Sequence, residues 1–302
     1  MSTAPARMPP AADAPRRRSR AAAPDGDAAA RADAADGVRL VPAVERAVRL
    51  LDALAAARQP QTLAALARAL SLPRSSVHGL LATLVALGLA RRDGDAAFSL
   101  GPKALQWADA YGTRSDVLRA FDACVDRFPG LGTETVMLAT LEDADVVYLA
   151  CRQGSRALAV NFRVGGRFPA ACTSSGKAML AALPDAAVRE RLGAGPLPRL
   201  TRHGLPSTAA LLRQLDAVRR QGHAVDDEET AEGMQCFGAA IRGPRGDDSL
   251  AAVAVSVIKA GLTARRRNEL VDAIRRLADA IAVELGAGPR PAPGRAGTRR
   301  PA

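Results

Sequence analysis

Arg74, Ser75, Ser76 and His78 sit close together directly after Leu72-Pro73, and each can hydrogen-bond to a nucleic acid. Arginine can engage guanine with two parallel donors, and serine can meet a base edge or a phosphate. Arg91 and Arg92 precede Asp93-Gly94-Asp95 and suit phosphate neutralisation or entry into a minor groove. A second group, Ser174-Ser175-Gly176-Lys177, fits the Ser-x-x-Lys pattern in which lysine helps to activate a serine nucleophile. That chemistry also calls for Ser-Asp-Asn and Lys-Thr-Gly, and neither occurs in the chain. As a phosphate loop the stretch fails, because Ala171 stands where Gly is required and Ala178 where Ser or Thr would hold magnesium. The plainer reading is that Ser-Gly starts a helix and that Lys177 is a surface or dimer-contact charge. Cys124, Cys151, Cys172 and Cys236 are far apart, as are His78, His203 and His223, so metal-ligand spacing is absent. No catalytic residue, no metal and no cofactor is expected, and the chain is not read as an enzyme.

The elements that must position these residues follow from periodicity. Val41 to Ala57 places Val44, Ala47, Val48, Leu51 and Leu54 on one helical face. Thr62 is a good N-cap for a short helix carrying Leu63, Leu66, Ala67 and Leu70. Ser71-Leu72-Pro73 breaks it, and a third helix from about Arg74 to Leu87 is striped by Val77, Leu80, Leu81, Leu84 and Leu87, with Gly88 at its end. Leu89 to Arg92 and Ala97 to Leu100 then flank a turn of hairpin type. Helix, helix, short turn, helix, hairpin is the order of a winged helix-turn-helix, whose third helix enters the major groove.

Pro102 to Phe128 reads as helical with an interruption near Gly112, its first part serving as a linker. Strands are expected at Thr133 to Leu141, Asp145 to Cys151, Cys236 to Ile241 and Leu250 to Ile258. Helices are expected at Ser175 to Leu183, Ala186 to Leu192, Ser207 to Gln221 and Ala264 to Leu285. The fold class is therefore α+β, with a mostly antiparallel sheet flanked by helices behind the winged helix. Boundaries are placed at 39–100 for the winged helix, 101–118 for the linker helix and 119–285 for the C-terminal domain. Residues 1–38 and 286–302 are basic tails rich in Ala and Pro, and disorder is expected there.

Composition sets limits on function. A formal charge of +11 suits a polyanionic partner, although part of it lies in the tails, where it can also serve solubility alone. Aromatics make up only 3%, which argues against stacking platforms for single-stranded nucleic acid. No apolar run reaches the ~18 residues that span a bilayer, no apolar core follows the basic N-terminus, and no membrane partner is expected. Reduced thiols in a cytoplasm fit this pattern.

Thr62 to Ala67 followed by Leu72-Pro73-Arg74-Ser75-Ser76-Val77-His78-Gly79-Leu80-Leu81 resembles the helix-turn-helix of the IclR-type (isocitrate lyase regulator) bacterial transcription regulators. Gly166-Arg167-Phe168-Pro169 with Cys172 to Ala181 resembles the segment before that family's effector-domain helix. Gly222 to Glu229, then Gly233 and Cys236 to Ile241, resembles its second signature. The match covers roughly residues 41 to 285, with the motifs in the family's order.

The resemblance implies a GAF-like effector domain, dimers joined near the linker helix and often paired into tetramers, and a small carboxylate or related metabolite as ligand. It implies double-stranded DNA as partner, read by Arg74, Ser75, Ser76, His78, Arg91 and Arg92 at a pseudo-palindromic operator, in control of a catabolic operon. Carried over by position, the effector pocket uses the Ser174 and Ser175 backbone, Asp226, Cys236 and Ser256. Backbone N–H groups opening the helix after Cys172 would make an anion site. Asp226 would accept from a ligand hydroxyl or order its loop, Ser256 would donate, and Cys236 is either a pocket group or a small buried residue. Many relatives have Gly where Ser71 stands and a basic residue where Gly79 stands, and Ala254 lies where a second hydroxyl can occur. The competing reading is a metabolite sensor whose winged helix contacts a protein partner.

Overall fold

The computed structural model describes residues 40–94, 96–155, 162–193, 195–243 and 251–288. Its first part is the expected helical block. α1 (Pro42–Ala56) turns Leu50 and Leu54 inward, against Leu66 and Ala67 of α2 (Leu63–Ala69) and Val77, Leu81 and Leu84 of α3 (Arg74–Ala86). Thr62 caps α2, its hydroxyl accepting from the Ala65 N–H at 3.2 Å. α2 closes as Ser71 N–H donates to the Arg68 carbonyl and Leu72 N–H to the Ala67 carbonyl, and α3 repeats the motif through Gly88 and Leu89. The turn residue is left-handed in both, with φ of +53° at Ser71 and +74° at Gly88.

β2 (Ala90–Asp93) and β3 (Ala97–Leu100) form the antiparallel hairpin, and the short β1 (Gln61–Thr62) pairs with β3 on its other side. Asp95, part of the expected turn, lies outside the described residues.

The next helical stretch breaks later than its glycine suggested. α4 (Lys103–Arg114) runs through Gly112, and the chain leaves helical geometry only at Ser115, φ −89° and ψ 102°, before α5 (Asp116–Val125). A glycine inside a helix costs propensity without ending it, whereas Ser115 followed by Asp116 makes a helix start. No residue of α4 is buried.

The larger domain is built on six antiparallel strands. They are β4 (Thr135–Glu142), β5 (Asp145–Arg152), β6 (Arg167–Pro169), β7 (Ala224–Asp227), β8 (Met234–Ile241) and β9 (Ala251–Ile258), in the order β6-β5-β4-β9-β8-β7. β4, β8 and β9 are buried on both faces, which is why they read as continuous apolar runs. One face packs under α6 (Ser174–Ala181), α7 (Asp185–Leu192) and α8 (Thr208–Gln221), the other under α5 and α9 (Ala264–Glu284). β1, β6 and β7 escaped the sequence reading because two to four residues carry no legible period. Leu250, read as the start of a strand, lies outside the described residues.

At the C-terminus the expected tail starts too early. Gly286 closes α9 with φ +85°, and Ala287 is buried with its N–H bonded to the Ala282 carbonyl. Residues 289–302, like residues 1–39, lie outside the described part.

Candidate nucleic-acid interface and effector site

α3 presents its N-terminal turn to solvent. Val77, Leu81 and Leu84 face the core, so the same helix turns Arg74, Ser75 and His78 outward, with Ser76 half-buried. Pro73 precedes the helix and supplies no side-chain cap, leaving first-turn N–H groups at the positive end of the helix. Gly79 is exposed, and a Cβ there would meet nothing within 4 Å.

In the hairpin the two arginines differ. Arg91 is held by its own strands, its Nε 2.9 Å from Ser99 Oγ and 3.1 Å from Asp93 Oδ1, while Ser99 donates to Asp93 Oδ2 at 2.5 Å. Arg92 points to the opposite side by strand alternation, is exposed, and has no ion pair among the described residues. The sequence did not distinguish them, because the distinction lies in the Asp93–Ser99 partnership across the hairpin.

In the larger domain, register brings the carried-over residues together. Asp226 on β7 is paired with Cys236 on β8, Cys236 with Ser256 on β9, and Ser256 with Thr135 on β4. These four residues form one polar row across four strands, on the face beneath α6, and all four are buried. Cys236 Sγ and Ser256 Oγ lie 3.0 Å apart. α6 comes down onto this row because small residues let it: a Cβ on Gly238 would lie 2.6 Å from the Ser174 carbonyl carbon, and one on Gly176 2.2 Å from the Ala170 carbonyl oxygen. Thr173 caps α6, accepting from Gly176 N–H at 3.0 Å, so the helix begins one residue earlier than read. The Ser174–Ser175 backbone, expected to bind an anion, lies against Gly238 of the sheet.

Lys177 is not the surface or dimer-contact charge expected of it. All of α6 is buried, and Lys177 is 0% exposed. Its Nζ donates to Glu229 Oε1 at 2.5 Å and to Gln214 Oε1 of α8 at 3.3 Å. A helix with no polar face gives no periodicity signal, so a charge on it looks like a surface charge. Glu229 sits in a loop that Asp226 orders, Oδ1 accepting from the N–H groups of Glu229 at 2.8 Å and Thr230 at 3.2 Å. Within that loop Glu228 is left-handed, φ +65°, and bridges to Lys259 at 2.6 Å. Thr230 also ties the loop to the segment before α6, donating to the Cys172 carbonyl at 3.1 Å. Tyr148 of β5 completes the cluster, packed on Phe162 and Phe168 with centroids 5.4 and 5.6 Å away.

Burial dominates the electrostatics. It raises the Asp226 carboxyl, against hydrogen bonds from Thr230 and the charge of Lys177. It lifts Glu229 to about 7, even with Lys177 beside it. The Cys172 thiol is pushed up to about 11 and that of Cys236 well above its ordinary value. Both are therefore protonated near neutral pH, and neither is a thiolate nucleophile. Among the described residues Lys177 bonds Glu229 and Gln214 and makes no bond to the Ser174 hydroxyl, so the Ser-x-x-Lys pattern has no catalytic geometry. A surface groove of about 950 Å³ between the Arg127–Gly130 turn and α9 lies on the opposite face and holds none of the expected site residues.

A winged helix-turn-helix followed by an α+β domain with a buried polar cluster under one helix defines a DNA-binding transcription regulator with an effector domain. Residues 43–94 match the IclR helix-turn-helix domain, and residues 109–283 match the bacterial transcriptional regulator IclR C-terminal domain. The Pca regulon regulatory protein of Pseudomonas putida is 34% identical over 212 residues, 70% of this chain and 72% of that one. The repressor BlcR of Agobacterium tumefaciens is 35% identical, with a TM-score of 0.54 over 82% of this chain and 98% of its own. An IclR homologue from Microbacterium hydrocarbonoxydans, solved in complex with 4-hydroxybenzoate, is 25% identical, with a TM-score of 0.68 over 80% of this chain and 98% of its own. The chain belongs to the IclR family of bacterial transcriptional regulators. Within the described residues, no helix is long and apolar enough to cross a membrane.

Proposed function

We propose that the protein acts in the cytoplasm as a dimer or a dimer of dimers on a pseudo-palindromic operator of a catabolic operon. In this reading residues 39–100 bind DNA, 101–118 link, and 119–285 sense a small organic acid. Arg74, Ser75, Ser76 and His78 read base edges, Arg92 neutralises phosphate, and Arg91 contributes less because Asp93 already compensates it. Ser175, Asp226, Cys236 and Ser256 line the effector site, with the Ser174 backbone as its roof. The observation that carries the site is the register of Asp226, Cys236, Ser256 and Thr135 in one buried row. The relative bound to 4-hydroxybenzoate supports an acid as effector. An acid held there shifts operator occupancy only if it binds the DNA-competent and incompetent states unequally.

Footprinting on the protein's own upstream DNA, with and without small carboxylates, tests both halves. A protected site of two-fold symmetry whose occupancy changes with one acid is expected, and Ser256→Ala should lose that response while keeping the footprint. No protection at low salt would favour the rival reading, in which the winged helix contacts a protein.

A further inference from the structure

The Lys177–Glu229 pair is buried but incompletely satisfied. An ammonium carries three donors, and those of Lys177 find two acceptors among the described residues, Glu229 Oε1 and Gln214 Oε1. Glu229 Oε2 is buried and has no donor. One cationic donor and one carboxyl oxygen, an anionic acceptor once pH exceeds about 7, are thus open on two groups 2.5 Å apart, in a site whose side chains are 1% and 6% exposed. Leaving such groups unpaired is costly, because burial removes the water that would otherwise satisfy them. The pair adjoins the polar row: Asp226 orders the loop that carries Glu229, and the charge of Lys177 is felt at both Asp226 and Cys236.

We infer that Lys177 and Glu229 are effector-binding residues that select a carboxylate bearing a hydroxyl on the adjacent carbon. The acid's carboxylate accepts from the open Lys177 donor, and its hydroxyl donates to Glu229 Oε2. Groups on neighbouring carbons are close enough to meet both partners of a single ion pair. A plain acid satisfies Lys177 but leaves Glu229 Oε2 orphaned. The discrimination between the two is therefore that of a charged hydrogen bond, about tenfold or more in affinity. This rests on the reading of the polar row as the effector site.

The test is calorimetric titration of the full chain with two matched pairs, mandelate against phenylacetate and lactate against propionate, alongside operator binding. In the wild type the hydroxy acid of each pair should bind about tenfold tighter or better. Glu229→Gln keeps an acceptor for Lys177 and places an amide donor where Oε2 stood, so the hydroxyl advantage should shrink below about twofold. The double change Lys177→Met with Glu229→Met removes both charges together, which a packed interior tolerates better than losing one. It should fold, keep its operator and bind none of the four acids. Equal affinities within each wild-type pair, as when a buried water already satisfies both groups, would overturn the inference. So would an undiminished preference in Glu229→Gln, or wild-type affinity in the double variant. Acids that bind and alter operator occupancy without discrimination leave the effector site standing and remove only these roles. If no acid binds or alters occupancy, the effector-site reading fails along with them.

Discussion

At the scale of single residues, this protein separates side chains that look alike in sequence. Arg91 and Arg92 are exposed neighbours of one type, yet Asp93 and Ser99 claim the first, while the second has no ion pair among the described residues. Arg92→Ala should therefore weaken binding to all DNA sequences and lower the salt slope by about one, while Arg91→Ala should change it less. Fluorescence titration of operator and unrelated duplexes at several salt concentrations checks this, and equal slopes for the two variants would contradict it. Glu229 gives a pH signature of its own. Burial lifts its carboxyl from 4.5 to about 7, so the native state holds this proton more tightly than the unfolded chain does. The associated stability is fully present below the unfolded pKa and is lost as pH rises through about 7. Urea midpoints followed from about pH 5 to 8 should fall more steeply in the wild type than in Glu229→Gln, with Asp226, raised in the same direction, contributing a slope common to both. The family motifs placed Asp226, Cys236 and Ser256 at one site, but Lys177, Glu229, Thr135 and Tyr148 were not legible. Their roles depend on which strands are neighbours, and no local pattern reports that.

At the scale of elements, helices outside the α4–α5 stretch were read to within a residue or two, because stripes such as Val77, Leu81 and Leu84 announce both the period and the buried face. The long strands were legible as apolar runs and β2 and β3 through the turn between them, whereas the short β1, β6 and β7 were not. The α2–α3 turn shows local chemistry working against the fold. Its closing motif calls for a left-handed residue, which is glycine at position 88 but serine at position 71. A residue with a Cβ costs about 1–2 kcal/mol in that conformation, partly offset by the greater freedom that glycine has when unfolded. Ser71→Gly should thus stabilise the winged helix by about 0.5–1 kcal/mol, seen as a higher denaturant midpoint at unchanged slope. A lower midpoint would mean that the serine makes a compensating interaction in solution.

At the scale of the whole molecule, α4 poses the remaining problem. None of its residues is buried, and Leu105, Trp107 and Tyr111 are 72%, 55% and 55% exposed. Three large apolar side chains on one twelve-residue helix need a cover if the chain is to stay dispersed. A second copy meeting α4 with α4 would cover Trp107 and Tyr111, which lie four residues apart on one side of the helix, as a two-fold interface pairs the same patch on both subunits. It would also set two α3 helices on one operator, linking assembly to DNA affinity. Trp107 is the chain's single tryptophan, so its emission reports this contact without a label. Diluting the protein should shift that emission to the red as the ring gains water. Tyr111→Ser should move the transition to higher concentration and weaken operator binding by a similar factor, leaving the affinity for small acids unchanged. Emission that stays constant over a dilution series in which the dimer demonstrably dissociates would place the interface elsewhere and leave the α4 patch without a role in assembly.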